Sequence, residues 1–356
     1  MAIIDDPSAY FQTTLYTGNG GTNAITNTGN SDLQPDWIWF KRRDGADNHI
    51  LFDVIRGVTK GIYADLDNAE DNLADSLASF NSDGFTLGAD TASGGSINGS
   101  SETNVAWCWK AGTSFTNDAS STGIGSMDSA GSVNEEAGFA IVSYTGNETA
   151  STLKHGLSTV PQMIIVKGLI SARDWIVGHH TQGWTKSAML NEANAFSSQT
   201  HWNNTAPTSS VFTIEGGSNS NVNTNNAGYI AYCFAEKQGY SKFGSYAGNQ
   251  NNDGTFVYLG FKPAFVMVKR YSAGNPTATN WVILDNKRDT ENTVDKWLYA
   301  NASDAEYTAS SGETDFVSNG FKIRGTGSYY NDSGHNYIYM AFAEQPLVGD
   351  NPATAR

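Results

Sequence analysis

The sequence predicts an all-β protein made of three tandem antiparallel β-sandwich units, jelly-roll or lectin-like in style. Three observations carry that expectation. Of 356 residues, 16% are charged and 12% aromatic, with 37 Gly and 8 Pro, a balance that favours strands and turns over exposed helices. The chain is also too long for one ordinary core. The third observation is a near-repeat: NVAWCWKA at 104–111, YIAYCFAE at 229–236 and YIYMAFAE at 337–344.

The elements repeat in one order. After an N-terminal arm, 1–9, come YTGN at 16–19, YTGN at 144–147 and YAGN at 246–249. Each is followed by a proline that opens an apolar strand ending in lysine: PDWIWFK from Pro35, PQMIIVK from Pro161 and PAFVMVK from Pro263. Period-two alternation on these strands marks Trp37, Trp39, Ile164, Val166, Phe265 and Met267 as the expected inward set. Short strands that turn polar come next, HILFD at 49–53, WIVGH at 175–179 and WVILD at 281–285. IYADLDNAE at 62–70 then matches LYANASDAE at 298–306 and, more loosely, MLNEANAF at 189–196, and one helical turn is expected there. Phe-led segments at 80–87, 209–216 and 316–323 precede the closing strands.

Those landmarks divide the chain into sandwich repeats at 10–112, 138–238 and 239–345, a Gly/Ser-rich linker at 113–137 and a tail at 346–356. The short join KQGYSKFG predicts firm contact between the second and third units, with Ile230 and Ile338 on equivalent strands. In each closing strand the bulky set (Val105, Trp107, Trp109; Ile230, Tyr232, Phe234; Ile338, Met340, Phe342) alternates with a small set such as Ala231, Cys233 and Ala235. That pattern suits a strand packed on both faces. The arm, the linker and the tail have no core of their own, so they are expected to be disordered in isolation and to serve attachment.

A formal net charge of −15 argues against nucleic acid and anionic membranes as partners. MAIIDDPSAYFQ lacks a basic start and a long apolar core, and no apolar run is long enough to span a bilayer; a soluble chain made in the cytoplasm is expected. Cys108 and Cys233 occupy matching places in two repeats and are read as small core residues rather than a disulfide.

Catalytic and metal motifs are not found, and no cofactor is expected. His179 and His180 lack a third ligand at zinc spacing and are read as loop histidines; GGSING at 94–99 lacks the lysine and helix of a phosphate loop. DLDNAEDNLAD at 65–75 is rich in oxygens but lacks the fixed glycine and terminal glutamate of an EF-hand, so it is read as a solvated acidic loop. A glycosidase carboxylate pair is a matter of spacing in three dimensions.

The ordered motifs, from DDPSAYFQTTLYTGNGG through LQPDWIWFKRRDG, FDVIRG and NVAWCWKAG to YIYMAFAEQP, resemble a repeat family of virion proteins from marine bacteriophages of the cyanophage type. The resemblance covers nearly the whole chain. It implies a non-enzymatic structural protein of the virion, tail-fibre-like or capsid-decorating. The partners it implies are other virion proteins, further copies of the chain and a host surface glycan. No heptad or collagen-like run is present to build a long shaft. The alternative is a carbohydrate-binding or polysaccharide-degrading β-sandwich protein. Its candidate site is Trp184 and Trp202 as sugar-stacking rings with Asn203 and Asn204 as amide donors.

Overall fold

A computed structural model describes residues 3–91, 96–217, 220–272, 279–350 and 352–353. Three main antiparallel sheets organise it. The first runs, in spatial order, Phe11–Thr17, Thr103–Trp109, Trp37–Arg42, Ile50–Asp53, Lys60–Tyr63 and Asp71–Asn72. The third follows the same order with Ser241–Ala247, Asn336–Pro346, Phe261–Arg270, Val282–Asp285, Lys296–Tyr299 and Tyr307–Thr308. In the second, Phe139–Thr145, Gly228–Phe234, Met163–Gly168, Ile176–His179, Lys186–Met189 and Ser197–Ser198 hold those places, and Ser129–Asn134 and Thr113–Asn117 extend the sheet beyond Phe139. Each closing strand therefore lies between the opening strand on one side and the proline-led strand on the other.

Burial on both faces explains the composition of the closing strands. Val105, Trp107 and Trp109, Ile230, Tyr232 and Phe234, and Ile338, Met340 and Phe342 all enter one central core shared by the three sheets. Trp37 of the first sheet stacks on Tyr232 of the second at 4.5 Å, and Phe11 stacks on Phe342 of the third at 5.2 Å. The opposite faces carry small residues because each packs against a nearby smaller sheet: Ala106 and Cys108 share a core with Leu77, Phe85 and Leu87, and Ala231 and Cys233 share one with Leu153, Phe212 and Ile214. Ala341 and Ala343 do the same with Val257, Phe316 and Phe321. Sandwich layers thus surround a common aromatic centre. Both cysteines are free and buried.

Several expectations change. Trp37, Trp39, Phe265 and Met267 lie in the central core, but there the second sheet contributes Met163 and Ile165, while Ile164 and Val166 face the outer layer. A strand buried on both sides offers no polar residue to set the phase. The expected helical turn in 62–70 is absent: the strand Lys60–Tyr63 ends in a turn and extended chain. The stretch 113–137, expected as a linker, forms two strands and one helical turn at Ala119–Thr122. Small residues make that pairing possible, since a Cβ on Gly131 would lie 2.0 Å from the Ile141 carbonyl oxygen.

The described parts of both terminal arms are also packed. Ile4 joins the central core, and the Asp6 carboxylate accepts hydrogen bonds from the Ser8 N–H and the Ser31 hydroxyl at 3.0 and 2.7 Å. Near the other end, the Leu347 and Asp350 N–H groups donate to the Gly260 carbonyl and the Asp5 carboxylate. Met1, Ala2, Gly94, Gly95, Asn351 and residues 354–356 lie outside the described residues.

Candidate functional site

The most repeated polar feature lies at the seams between the sheets. Lys41, Lys167 and Lys269, the lysines that end the three proline-led runs, are fully buried. Among the described residues each ammonium donates to main-chain carbonyls rather than to a carboxylate. Lys41 reaches Arg42, Gly45 and, across the seam, Ser303 at 2.7, 3.1 and 3.0 Å. Lys167 reaches Asp67 across its seam at 3.1 Å, with Gly168 at 3.0 Å and Arg173 at 2.8 Å. Lys269 reaches Ala193 at 2.6 Å and also Thr279. The contacts run in a ring: first sheet to third, second to first, third to second. Burial pushes the three ammonium groups down, to about 8 for Lys41 and Lys167 and about 7 for Lys269.

A second ring lies at the ends of the short strands. Asp53 accepts from Arg56 at 2.6 Å and from the Tyr232 hydroxyl of the second sheet at 2.8 Å. Asp285 accepts from Arg288 at 2.6 Å and from the Trp107 indole of the first sheet at 3.1 Å. His179 holds the corresponding place in the second sheet and is buried, contrary to its reading as a loop histidine. Its neighbour His180 lies at the surface and bonds the Phe243 carbonyl at 2.9 Å. Indole bonds tie the same seams, from Trp175 to the Tyr63 carbonyl at 2.7 Å and from Trp281 to the Met189 carbonyl at 3.0 Å. Chemically, these groups are donors and acceptors matched to one another, except His179 Nε2, which is buried without a hydrogen-bond partner among the described residues.

The sugar-stacking candidates lie elsewhere. Trp202 is 0% exposed and Trp184 8% exposed, with their rings edge to face at 5.3 Å. Both fill the space over Gly178, where a Cβ would come within 2.5 Å of Trp184 and 2.6 Å of Trp202. Neither ring has a free face for a sugar. Asn203 and Asn204 form an exposed turn with φ of 48° and 51°, a left-handed conformation that asparagine tolerates.

The acidic stretch 65–75 is only partly solvated. Asp65 accepts from the His49 N–H at 3.0 Å and burial raises its carboxyl to about 6, while Glu70 pairs with Arg56 and Lys60. Among the described residues no three His, Cys, Asp or Glu side chains converge as metal ligands do, and no helix is long and apolar enough to cross a membrane.

Two surface features were not anticipated. A cleft of about 160 Å³ lies beside Phe11, Gln12 and Thr13, walled by Gly29 and Asn30 and by Asn286 and Glu344. On the third sandwich, Phe256 and Tyr258 are exposed by 44% and 53%, with the Lys242 ammonium 5.2 Å over the Tyr258 ring. The seam lysines did leave a signal, the Pro-to-Lys spacing present three times. The cleft left none, because it joins residues far apart in the chain.

No curated protein and no solved structure matches this chain. A family model described as a domain of unknown function (DUF7483) matches residues 6–346, and the chain belongs to that family.

Proposed function

We propose that this chain is a non-enzymatic structural protein of a phage particle. It stands on the particle surface as a tail-fibre-like or capsid-decorating component that serves assembly or attachment to the host, beside other virion proteins and further copies of itself. Its three main sheets are copies of one repeat, with limits near 10–112, 138–238 and 239–345. The resemblance of the ordered motifs supplies the class of protein. The observation that supports a non-enzymatic reading is that the seam lysines are taken up by main-chain carbonyls and the buried carboxylates by arginine, tyrosine and indole donors. A catalytic group must instead face a substrate.

A second reading, carbohydrate binding, is favoured by the exposed Phe256 and Tyr258 rather than by Trp184 and Trp202. Exposed rings on a strand offer stacking faces, and Lys242 adds a donor. The test combines two measurements. Peptide mass spectrometry of gradient-purified particles is expected to find the chain at constant copy number, and the purified chain is expected to release no sugar from host envelope polysaccharide. Sugar release would replace the structural reading with an enzymatic one.

A further inference from the structure

The second and third units differ in what lies beside one edge strand of their smaller sheets, Ser151–Lys154 in the second and Phe256–Tyr258 in the third. Leu153 stands opposite Phe212, and Val257 opposite Phe321. All four side chains are buried in the outer cores of their units. Phe256 therefore corresponds to Thr152, and Tyr258 to Lys154. In the first unit Ile25 stands opposite Phe85, which gives Ala24 and Thr26 the same two places. Only the third unit has aromatic rings there.

In the second unit the chain covers this edge with a segment of its own. The Ser126 and Met127 N–H groups donate to the Thr152 carbonyl at 2.9 and 3.2 Å, and the Thr152 N–H donates to the Ser126 hydroxyl at 2.9 Å. Two residues further on, the Ser129 hydroxyl donates to the Lys154 carbonyl at 3.0 Å. Met127 pairs in parallel with Leu153 and is buried in the outer core of that unit.

In the third unit no segment among the described residues takes that place. The Leu259 N–H donates to the Asn319 carbonyl and the Ile323 N–H to the Thr255 carbonyl. Alternate residues of a paired strand turn their main-chain groups to opposite sides, so those of Phe256 and Tyr258 point away from Gly320–Ile323. They meet no partner among the described residues, and the two residues are exposed by 44% and 53%. Open space runs along the strand. A groove of about 420 Å³ is lined by Phe256, Tyr258, Ser245, Tyr246 and Tyr339, and one of about 340 Å³ lies past Tyr258 toward Leu347 and Val348. Lys242 borders both.

The rings fit the difference between a tethered and an untethered occupant. The chain itself holds 126–129 close to its strand, at high effective concentration, so Thr152 and Lys154 suffice beside it. A separate segment also bears the entropy of association, and two exposed rings supply the added contact area.

We propose that the edge Phe256–Tyr258 receives an extended segment of a partner polypeptide. The segment runs parallel to the edge, as Ser126–Ser129 runs beside Thr152–Lys154, and lays one apolar side chain in the groove beside Tyr246 with small hydroxyl residues on either side. Main-chain bonds supply affinity and the groove supplies selectivity. Because the second unit fills this place with polypeptide, the rings are assigned to a polypeptide rather than to a sugar. The proposal stands on the comparison of the repeats and holds whether or not the virion reading does.

The test uses the intact chain and a labelled peptide of its own sequence, TGIGSMDSAG from 122–131. Fluorescence anisotropy is expected to show saturable binding with a Kd below about 1 mM, and amide hydrogen exchange to slow at Phe256 and Tyr258. Affinity should fall about tenfold or more on Phe256→Pro, which removes an outward N–H at an edge without touching the bonds to Gly320–Ile323. Tyr258→Lys, which installs the second unit's residue, and Met127→Ser within the peptide should weaken binding likewise. If a chain variant unfolds, the peptide variant and the exchange result on the natural chain decide. Several outcomes overturn the proposal: no binding at about 1 mM peptide, binding indifferent to these changes, or Phe256 and Tyr258 amides already protected in the free chain. So do protection by a glucose oligomer in place of peptide, and self-association of the free chain that Tyr258→Lys abolishes.

Discussion

Replacing Lys167 separates the packing of its stem from the hydrogen bonds of its ammonium. Lys167→Ala removes both; Lys167→Met keeps a stem of similar length and removes only the donor. In either variant the Asp67, Gly168 and Arg173 carbonyls, now at 3.1, 3.0 and 2.8 Å from Nζ, lose their common partner. A buried polar group left unsatisfied costs about 1–3 kcal/mol, and water admitted to the space returns part of it. Lys167→Met should therefore destabilise by about 2–3 kcal/mol. Lys167→Ala also loses buried methylenes worth about 0.8 kcal/mol each and should cost about 3–5 kcal/mol. Urea unfolding followed by tryptophan fluorescence measures both, with the m-value unchanged because the three sheets share one core. A Lys167→Met chain within 1 kcal/mol of the natural one would refute the reasoning, since the carbonyls would then not depend on the ammonium.

Other outcomes follow from the same structure. Trp39→Ala empties a fully buried site and removes the indole bond to His49 at 2.8 Å; it should cost about 3–5 kcal/mol, and a loss under about 1 kcal/mol would mark the strand as peripheral. Asp285→Ala leaves the Arg288 guanidinium, 0% exposed, without its nearest carboxylate, and a loss of about 3–5 kcal/mol is expected. Burial holds His155 down to about 4 and, with the His180 charge, His179 down to about 3, while an unfolded histidine titrates near ~6.5. Between those values the unfolded chain binds protons that the folded chain refuses. Stability should therefore fall as pH drops below about 6.5, and His155→Asn should reduce the slope by up to about 1.4 kcal/mol per pH unit; an unchanged slope would show that His155 titrates normally.

The strands were legible because their signals are local. Period-two alternation, the proline that opens a strand and the bulky-small closing strands are all written within ten residues. What each face meets was less legible. Period two alone puts Ile164 and Val166 on the wrong side because a run such as MIIVK is apolar throughout and carries no phase. Trp184 and Trp202 read as available to a sugar because sequence does not show that both rings pack over Gly178, some 6 and 24 residues away. The stretch 113–137 reads as a linker by composition, yet its small residues are what an extra strand against Ile141 requires. The seam lysines illustrate the same limit: a lysine just past an apolar run ordinarily marks the start of solvent, and only the fold shows that carbonyls from another sheet close over it.

The proposed structural role is tested most directly by averaged electron cryomicroscopy of the intact phage particle. The account predicts density on the outer surface that accommodates this three-sheet body, at the capsid or the tail. Particles whose outer surface holds no such density, from a phage that expresses the chain during infection, would contradict it.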